Sequence, residues 1–341
     1  MSTVYDVAIV GSGAAGSMGA LRAVLNNLNT VAFLGSALNK KKARATWVGK
    51  VENMPALFDY PKAISQSSIE VFQWIEKHPT WSPLLKSIKD EVVEITGTKG
   101  NFALKTRKGE VFRAKYIVLC TGIMDVQPVI GGDIKNVYPM ANEGHVEYCI
   151  RCDGHRTKGQ HTAIIGHADT AAWIATLLKE RYDCPAITVL SNGEKLRVLP
   201  GSPLAERLTA YGIQVNELPI KALLGNPKKE GLTGIQLTDG TIVPATIAFV
   251  SMGTIVYNDL AKALGAKVDE REYIVTDEAG ETTVPGLFAA GDIRANKKKQ
   301  IYTAWDITVD SVDKVDAYLR AEKREHLLTK APKADPAAKL Q

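Results

Sequence analysis

The sequence of 341 residues predicts an α/β protein with two Rossmann-type three-layer domains. The prediction rests on two stretches that share one pattern: a short apolar strand, a glycine-containing turn, an Ala-rich helix and a further apolar strand. The first stretch begins at residue 5 and the second at residue 162. Parallel strands joined through a helix form a βαβ unit, and a chain of this length can bury two hydrophobic cores.

The composition is that of a globular protein, with 45% hydrophobic and 23% charged residues. No apolar run approaches the roughly 18 residues that span a bilayer, and the N-terminus lacks the pattern of a signal peptide. We therefore expect a cytoplasmic protein without a membrane partner. The net charge of +5 is mildly basic, and no aromatic residues are interleaved with basic ones, so we expect no nucleic-acid partner.

The first unit begins with the strand at residues 5–10, and the turn GSGAAG follows it at once. Gly11 permits the tight turn, Gly13 lets the backbone approach a pyrophosphate, and Gly16 lets the helix pack closely against the strand. The pyrophosphate would lie at the helix N-terminus, where backbone N–H groups point outward. This turn predicts a dinucleotide site.

Further elements of the first unit follow the glycine turn along the sequence. The second strand, residues 30–35, lacks a following acidic residue for the ribose, so we expect Ser36 or the backbone to take that role. Residues 62–78 have the periodicity of a helix, and residues 91–120 alternate as a small antiparallel sheet that ends at Thr121-Gly122.

A Cys-x-x-Cys pair, Cys149 and Cys152, stands between the two units. The chain has four cysteines, too few for a disulfide scaffold. In a cytoplasmic α/β protein such a pair is more often a redox pair or half of a zinc site. His145 and His155 flank the motif and could complete a zinc site, but no second cysteine pair exists. We favour the redox pair and expect no metal.

Residues beside the pair suit disulfide exchange, which needs a thiolate and a group that reprotonates the leaving thiol. Arg151 lies between the cysteines and favours a thiolate. Asp153 follows the second cysteine and can transfer the proton. Cys120 ends an apolar strand and Cys184 precedes a proline, so both are expected to be inert.

The second unit has a strand at residues 162–165, a turn at 166–171, a helix and a strand at 186–191. The later sheet-like segments of this domain are IQVNEL, GIQLTDG and TIAFVSMG. Near the C-terminus, VPGLFAAGDI leads into a helix from Gln300. Residues 327–341 are rich in Ala, Pro and Lys and are expected to be disordered.

Five segments stand in one order along the chain: GSGAAG at 11–16, VENMP at 51–55, CIRCDG at 149–154, the second turn at 166–171 and GLFAAGD at 286–292. This order resembles the low-molecular-weight thioredoxin reductases from residue 5 to about residue 325. The resemblance implies the thioredoxin reductase architecture and a homodimer. An FAD-binding domain would span residues 1–123 and 254–326, and residues 124–253 would form an inserted, NADPH-like domain that carries the cysteines.

The resemblance also implies roles for single residues. Cys152 would face the flavin, Cys149 would attack the disulfide of a thioredoxin-like protein or a small disulfide, and Asp153 would be the nearby acid and base. Asn53 and Gln300 would approach the flavin ring, and Asp292 would hold the ribityl or pyrophosphate region. The residues that would bind FAD are Gly11, Gly13, Gly16, Asn53, Thr121, Gly122, Gly291, Asp292 and Gln300.

The second unit departs from the resemblance where NADPH would bind. The family has Gly-x-Gly-x-x-Ala, but Ala168 stands here at the second glycine, and its Cβ crowds the approach of a pyrophosphate. Ala172-Trp173-Ile174 replaces the acidic residues early in the helix. Ser191-Asn192-Gly193 replaces an Arg-rich stretch suited to the 2′-phosphate. We therefore predict an FAD-dependent dithiol/disulfide oxidoreductase that does not depend on NADPH.

Three electron routes stay open: a ferredoxin donor, a second FAD in the chain, or oxygen as the acceptor in a dithiol oxidase. The turn after residue 190 is similar to that of the gliotoxin-type dithiol oxidases. A flavin-binding redox sensor without turnover is the alternative outside catalysis.

Two basic runs, Lys40-Lys41-Lys42-Ala43-Arg44 and Lys297-Lys298-Lys299, bear on these routes. They could attract an acidic ferredoxin, hold the phosphates of a second flavin, or be solvated surface charges. Trp47, Tyr302 and Trp305 flank the same segments and could stack on a flavin or lie in the core.

Overall fold

The computed structural model describes residues 3–36, 43–46, 50–55, 57–58, 63–296 and 298–330. The described residues form two compact units. The first lies within residues 1–39, 68–122 and 257–341, and the second lies within residues 40–67 and 123–256. Within these described ranges, no helix is both long enough and apolar enough to cross a membrane.

Strands and helices are numbered in chain order, and short 3-10 helices connect some of them. The strands are β1 (Val4–Val10), β2 (Thr30–Phe33), β3 (Leu85–Ile88), β4 (Val92–Thr98), β5 (Asn101–Thr106), β6 (Val111–Leu119), β7 (Ile123–Asp125), β8 (Val146–Glu147), β9 (His161–Ile165), β10 (Ala186–Leu190), β11 (Gln214–Asn216), β12 (Ile220–Leu224), β13 (Gly234–Leu237), β14 (Ile242–Val243), β15 (Ile247–Val250), β16 (Thr254–Val256) and β17 (Leu287–Ala289). The helices are α1 (Ala14–Leu25), α2 (Ala63–Lys77), α3 (Tyr138–Asn142), α4 (Ile150–Asp153), α5 (Asp169–Tyr182), α6 (Pro203–Ala210), α7 (Asp259–Ala263) and α8 (Ile301–Lys330).

The first unit is built on a seven-stranded sheet with the order β3-β2-β1-β6-β5-β4, and β17 pairs with β6. The pairs of β1 with β2 and β6, of β2 with β3, and of β17 with β6 are parallel. The pairs β4-β5 and β5-β6 are antiparallel, as the alternation of residues 91–120 predicts. The C-terminal strand β17 thus enters the same sheet as the N-terminal strand β1.

One face of this sheet is covered by helices. Alternate side chains of β1, Val7 and Ile9, enter a core with residues of α1, α8 and the part of α2 that follows residue 67. Residues Val7–Val10 are almost fully buried, as expected for a central parallel strand. This packing fixes the position of the turn that leaves β1.

The second unit contains a five-stranded sheet with the order β11-β10-β9-β15-β8 and a three-stranded sheet β12-β13-β14. Alternate residues of β9 enter two different cores. Ile164 packs with α5 and α6, whereas Ala163 and Ile165 pack with the three-stranded sheet. The unit therefore has three layers, with helices on one face and the small sheet on the other.

The C-terminal helix differs from the prediction at its end. Helix α8 continues to Lys330, so residues 327–330 are helical rather than disordered. Leu and Lys have high helix propensities, which explains the extension. Residues 331–341, the rest of the predicted tail, lie outside the described residues.

Candidate active site

The cysteine pair lies between β8 and α4 of the second unit. Cys149 and Cys152 form a disulfide, with their Cα atoms 5.3 Å apart. Cys149 has an extended backbone and caps α4, and its Sγ accepts a hydrogen bond of 3.2 Å from the backbone N–H of Cys152. An N–H directed at sulfur favours negative charge there. The geometry thus favours a thiolate on Cys149 once the disulfide is reduced.

The strand before the pair is held by a chain of hydrogen bonds. The Tyr148 hydroxyl donates to Gln127 Oε1 at 2.6 Å, and Gln127 Nε2 donates to the backbone oxygen of Asp125 at 2.9 Å. The Asp125 carboxylate accepts two bonds of 2.6 and 2.7 Å from Arg44. Tyr148 is buried, and burial raises the pKa of its hydroxyl. Tyr148 is therefore a neutral anchor next to Cys149.

Asp153, the predicted acid and base, is only 3% exposed. Burial raises the pKa of its carboxyl, although the positive charges of Arg156 and His155 act in the opposite direction. A carboxyl with a raised pKa retains a proton closer to neutral pH than an exposed aspartate does. This property suits a group that must reprotonate a thiolate.

A second buried carboxyl, Glu147, lies on β8 two residues before Cys149 and is 6% exposed. It accepts a hydrogen bond from the Arg156 guanidinium. Burial, followed by the negative charge of Asp153, raises the pKa of Glu147. Sequence reasoning missed this residue, although the sequence shows it as a charge between the apolar Val146 and the aromatic Tyr148.

The two histidines of the zinc alternative have other partners. His155 Nε2 lies 2.7 Å from Glu52 Oε2, and His145 Nε2 lies 3.0 Å from the backbone oxygen of Pro227. Among the described residues, no group of three or more His, Cys, Asp and Glu could hold a metal ion. His155 thus pairs with a carboxylate of the same unit, and His145 contacts a backbone carbonyl.

The other two cysteines, Cys120 and Cys184, are free and buried. Burial raises the pKa of the Cys120 thiol. Cys184 Sγ donates a hydrogen bond to Thr157 Oγ1 at 3.2 Å. The raised pKa of Cys120 disfavours a reactive thiolate there, and the hydrogen bond of Cys184 is a structural contact within the core.

The glycine turn after β1 has two kinds of glycine. A Cβ on Gly11 would lie 2.3 Å from the backbone oxygen of Cys120, and a Cβ on Gly16 would lie 1.9 Å from the backbone oxygen of Gly11. Gly11 also has a φ of 117°. Gly13, which caps α1, has no atom within 4 Å of the position of its missing Cβ. The turn therefore leaves open space at the helix N-terminus, which fits the approach of a dinucleotide pyrophosphate.

The other predicted FAD residues of the first unit follow neighbouring strands of the same sheet. Thr121 and Gly122 follow β6, and the Thr121 Oγ1 donates to the backbone oxygen of Tyr257 at 2.7 Å. Gly291 and Asp292 follow β17, and Ala290 N–H bonds to Leu119. The carboxyl ends of adjacent parallel strands meet at one edge, where nucleotides bind in this fold class.

Gln300 and Asn53 complete the predicted FAD set. Gln300 is 7% exposed and directly precedes α8, and its side-chain amide donates to the backbone oxygen of Lys299 at 2.8 Å. Asn53 belongs to the second unit and is partly buried. The first unit thus gathers every predicted FAD residue except Asn53.

Some residues of the two basic runs and of the aromatic residues that flank them belong to the described part of the chain. Lys299 Nζ lies 3.8 Å from the centroid of the Tyr273 ring and donates to Asn296 Oδ1 at 2.8 Å. Lys298 and Tyr302 are exposed, and Trp305 is partly buried. Arg44 forms the ion pair with Asp125 described above. The remaining predicted residues, Lys40, Lys41, Lys42, Trp47 and Lys297, lie outside the described residues.

The second glycine turn, after β9, is tied to the chain itself. A Cβ on Gly166 would lie 2.3 Å from the backbone oxygen of Ser251, so strand packing requires this glycine. Ala168 caps α5 without a side-chain hydrogen bond. The backbone N–H of Arg197, in the loop after β10, donates to the backbone oxygen of His167 at 2.8 Å. This bond joins the loop to the turn at the edge where a dinucleotide binds in such a unit.

Two polar side chains of the loop after β10 form hydrogen bonds within the protein. The Ser191 hydroxyl donates to the backbone oxygen of Glu194. The Asn192 amide donates to Val129 at 2.9 Å and accepts from the backbone N–H of Ile220 at 2.7 Å. Two apolar residues of the loop, Leu196 and Val198, pack against the core that contains α5 and α6.

Comparisons with known proteins agree on one family. A family model described as pyridine nucleotide-disulphide oxidoreductase matches residues 5–307. The thioredoxin reductase of Listeria innocua is 26% identical over 317 residues, covering 88% of this chain and 89% of that protein. The thioredoxin reductase of Treponema pallidum is 27% identical over 315 residues, covering 89% of this chain and 94% of that protein.

Solved structures confirm the predicted fold. The thioredoxin reductase of Streptococcus pyogenes superposes with a TM-score of 0.78 at 23% identity, covering 94% of this chain and all (100%) of that chain. The crystal structure of HlmI superposes with a TM-score of 0.80 at 20% identity, covering 96% of this chain and 97% of that chain. At these identities the likeness concerns the fold, which is the α/β fold of thioredoxin reductase.

Proposed function

The chain belongs to the pyridine nucleotide-disulphide oxidoreductase family, and from this premise we propose that it is an FAD-dependent dithiol/disulfide oxidoreductase whose main electron donor is not NADPH. Its thioredoxin-reductase-like sequence and fold make it an enzyme of disulfide chemistry. Cys149 and Cys152 are the redox pair, and Asp153 is the acid and base. The first unit holds FAD, and the second carries the cysteines.

The proposed chemistry follows the order of the two sulfurs. The Cys149 thiolate attacks the disulfide of the partner, a mixed disulfide forms, and the first partner thiolate leaves and is protonated. The Cys152 thiolate then attacks Cys149 Sγ, which releases the second partner thiolate and closes the Cys149–Cys152 disulfide. FAD, when bound and reduced by the electron donor, would supply the two electrons that reopen this pair. The N–H of Cys152 on Cys149 Sγ supports Cys149 as the attacking sulfur.

The observation that carries the claim about NADPH is the loop after β10. Its Arg197 N–H bonds to the turn at His167, and its Asn192 side chain is engaged by Val129 and Ile220. These bonds tie the loop and the turn to the protein itself, at the carboxyl ends of the strands, where nucleotides bind in this fold class. Ala168 and the absence of an arginine pair at 191–193 add to the same argument.

The electrons would come from another source. A ferredoxin or a second FAD fits the basic runs, and oxygen as acceptor would make the protein a dithiol oxidase. The Ser191-Asn192-Gly193 turn favours the oxidase as the second candidate, because it is similar to the turn of that class. Oxygen consumption with a small dithiol separates the two directions. A thioredoxin-like or small disulfide partner and a homodimer belong to the same proposal.

Calorimetric titration of the flavin-loaded protein with NADPH tests the donor claim through binding. We expect no saturable heat below about 1 mM, the upper end of usual Michaelis constants, because the loop after β10 bonds to the turn that would receive the nucleotide. A dissociation constant in the micromolar range would contradict the claim. Titration of the same sample with a dithiol shows that the protein is active.

A further inference from the structure

The backbone that carries Cys149 lies between the end of a strand and the start of a short helix. Strand β8 pairs with β15 through Val146 and Glu147, and α4 begins at Ile150. Tyr148 and Cys149 alone connect these two elements. Helix α4 has only 4 residues, too few to be stable by itself. The position of Cys149 therefore depends on contacts made by the side chains of this segment.

Tyr148 makes such contacts at both ends of its side chain. Its ring lies in the core that contains the three-stranded sheet, and its hydroxyl donates to Gln127 Oε1 at 2.6 Å. Gln127 is only 6% exposed, and its Nε2 donates to the backbone oxygen of Asp125 at 2.9 Å. The reversed amide would direct an oxygen at that carbonyl oxygen, so Gln127 has one favourable orientation.

The residue that receives the Gln127 amide is itself fixed. Asp125 lies on β7 opposite Thr254 of β16 and is 4% exposed. Its carboxylate accepts hydrogen bonds of 2.6 and 2.7 Å from Arg44. A guanidinium that donates two parallel hydrogen bonds restricts the orientation of the carboxylate. All of these residues belong to the second unit, so the chain from Arg44 to Tyr148 is a rigid support for the segment before Cys149.

We propose that Gln127 is a positioning residue for the disulfide chemistry: it fixes Tyr148, and thereby the extended backbone of Cys149 that places the attacking sulfur against the N–H of Cys152. The inference rests on the proposed dithiol/disulfide function and adds a residue that acts through Tyr148.

The expected effect of Gln127 follows from the contact at sulfur. The Cys152 N–H lies 3.2 Å from Cys149 Sγ, and a hydrogen bond weakens steeply when its angle or length departs from the optimum. A donor directed at sulfur stabilises the thiolate more than the thiol. Without the hydrogen bond between Tyr148 and Gln127, the backbone of Cys149 is held less closely. A smaller fraction of this cysteine is then ionised near neutral pH.

Alkylation with iodoacetamide measures that fraction without turnover. The flavin-loaded Cys152→Ser protein is the parent, because it cannot form the Cys149–Cys152 disulfide and keeps the backbone N–H of residue 152. Mass spectrometry follows the peptide that contains Cys149, which is partly exposed. In Tyr148→Phe and in Gln127→Met we expect the ratio of the rates at about pH 7 and about pH 9.5 to fall about threefold or more. Access to the sulfur cancels in this ratio.

A double variant and a control separate positioning from general loosening. Tyr148→Phe and Gln127→Met remove the same hydrogen bond, so together we expect the loss of either alone rather than the product of both. The matched control is Tyr116→Phe, which removes a buried hydroxyl that donates to Glu322 Oε1 at 2.8 Å in the first unit. Its ratio should equal that of the parent.

The charged residues beside the cysteines are the same in every variant. Arg151 on α4 is exposed, Asp153 is buried, and His155 pairs with Glu52. A fall in the ratio therefore reports the support of Cys149 and not a change of charge.

Tyr148→Phe is the decisive variant, because it keeps the ring in the core and removes only the hydroxyl. A fall of less than about twofold in this variant would overturn the inference, whether or not Gln127→Met folds. An equal fall in Tyr116→Phe would overturn it as well, since general loosening of the protein would then explain the effect. Multiplied losses in the double variant would show two separate defects instead of one support.

The two proposals fail in different ways. A wild-type protein without turnover on dithiols or disulfides contradicts the proposed function, and the alkylation ratios still decide on Gln127. Normal wild-type turnover together with unchanged ratios overturns the positioning role alone.

Discussion

Replacing Cys152 with serine is expected to leave FAD bound and to reduce dithiol oxidation or disulfide reduction on the order of a thousandfold or more, as removal of a nucleophile does. The variant keeps Cys149 but cannot close the Cys149–Cys152 disulfide. A partner captured by Cys149 then has no second protein thiol to release it. Turnover is measured with a small dithiol and with a thioredoxin-type disulfide, and bound FAD by its visible absorbance.

Cys184→Ser is the matched control for that substitution. Cys184 is buried and donates to Thr157 Oγ1, a bond that a serine hydroxyl also forms. We expect turnover within about twofold of wild type, because a surviving hydrogen bond limits the structural cost. Unchanged turnover in Cys152→Ser would contradict the role of the pair.

Two glycines of the turn after β1 are expected to respond in different ways to alanine. In Gly16→Ala the new Cβ would lie 1.9 Å from the Gly11 oxygen, so the backbone must move. We expect the free energy of unfolding to fall by about 1–3 kcal/mol or more, and FAD to be lost with the turn. Urea denaturation of the flavin-free protein measures the first effect and fluorescence titration with FAD the second.

In Gly13→Ala the protein itself has room for the Cβ, since no atom lies within 4 Å and φ is −71°. We expect the free energy of unfolding of the flavin-free protein to change by no more than about 1 kcal/mol, the usual size of a helix N-cap effect. FAD affinity should fall about tenfold or more, because the methyl group occupies the approach of the pyrophosphate. Wild-type FAD affinity in Gly13→Ala would show that no pyrophosphate approaches this turn.

The parts of the fold that sequence could predict have strong local signals. Residues 4–10 and 161–165 are apolar runs followed by glycine turns, and both are central parallel strands. The sequence does not predict the strand Leu85–Ile88, because Lys86 and Ser87 interrupt its apolar pattern and it has only 4 residues. It does not predict helix α6 either, since 8 residues are too few for a clear period.

The residues of the candidate site also differ in how far the sequence predicts them. Cys149, Cys152 and Asp153 could be read from spacing alone, because their relation is local. The Arg44–Asp125 ion pair joins residues 81 positions apart, and no local pattern announces such a contact. Glu147 could be seen in the sequence as a charged residue between apolar neighbours, but its burial and its hydrogen bond with Arg156 are visible only in the fold. Burial of this kind follows from tertiary packing.

The measurement that tests the central claim most directly is an anaerobic titration of the flavin-loaded protein with NADPH, followed by the visible absorbance of the flavin. We predict that the flavin stays oxidised with NADPH and is bleached by dithionite or by a dithiol. Bleaching within seconds by a stoichiometric amount of NADPH would contradict the claim. The loop after β10 would then admit the nucleotide, and the protein would act as an NADPH-dependent disulfide reductase.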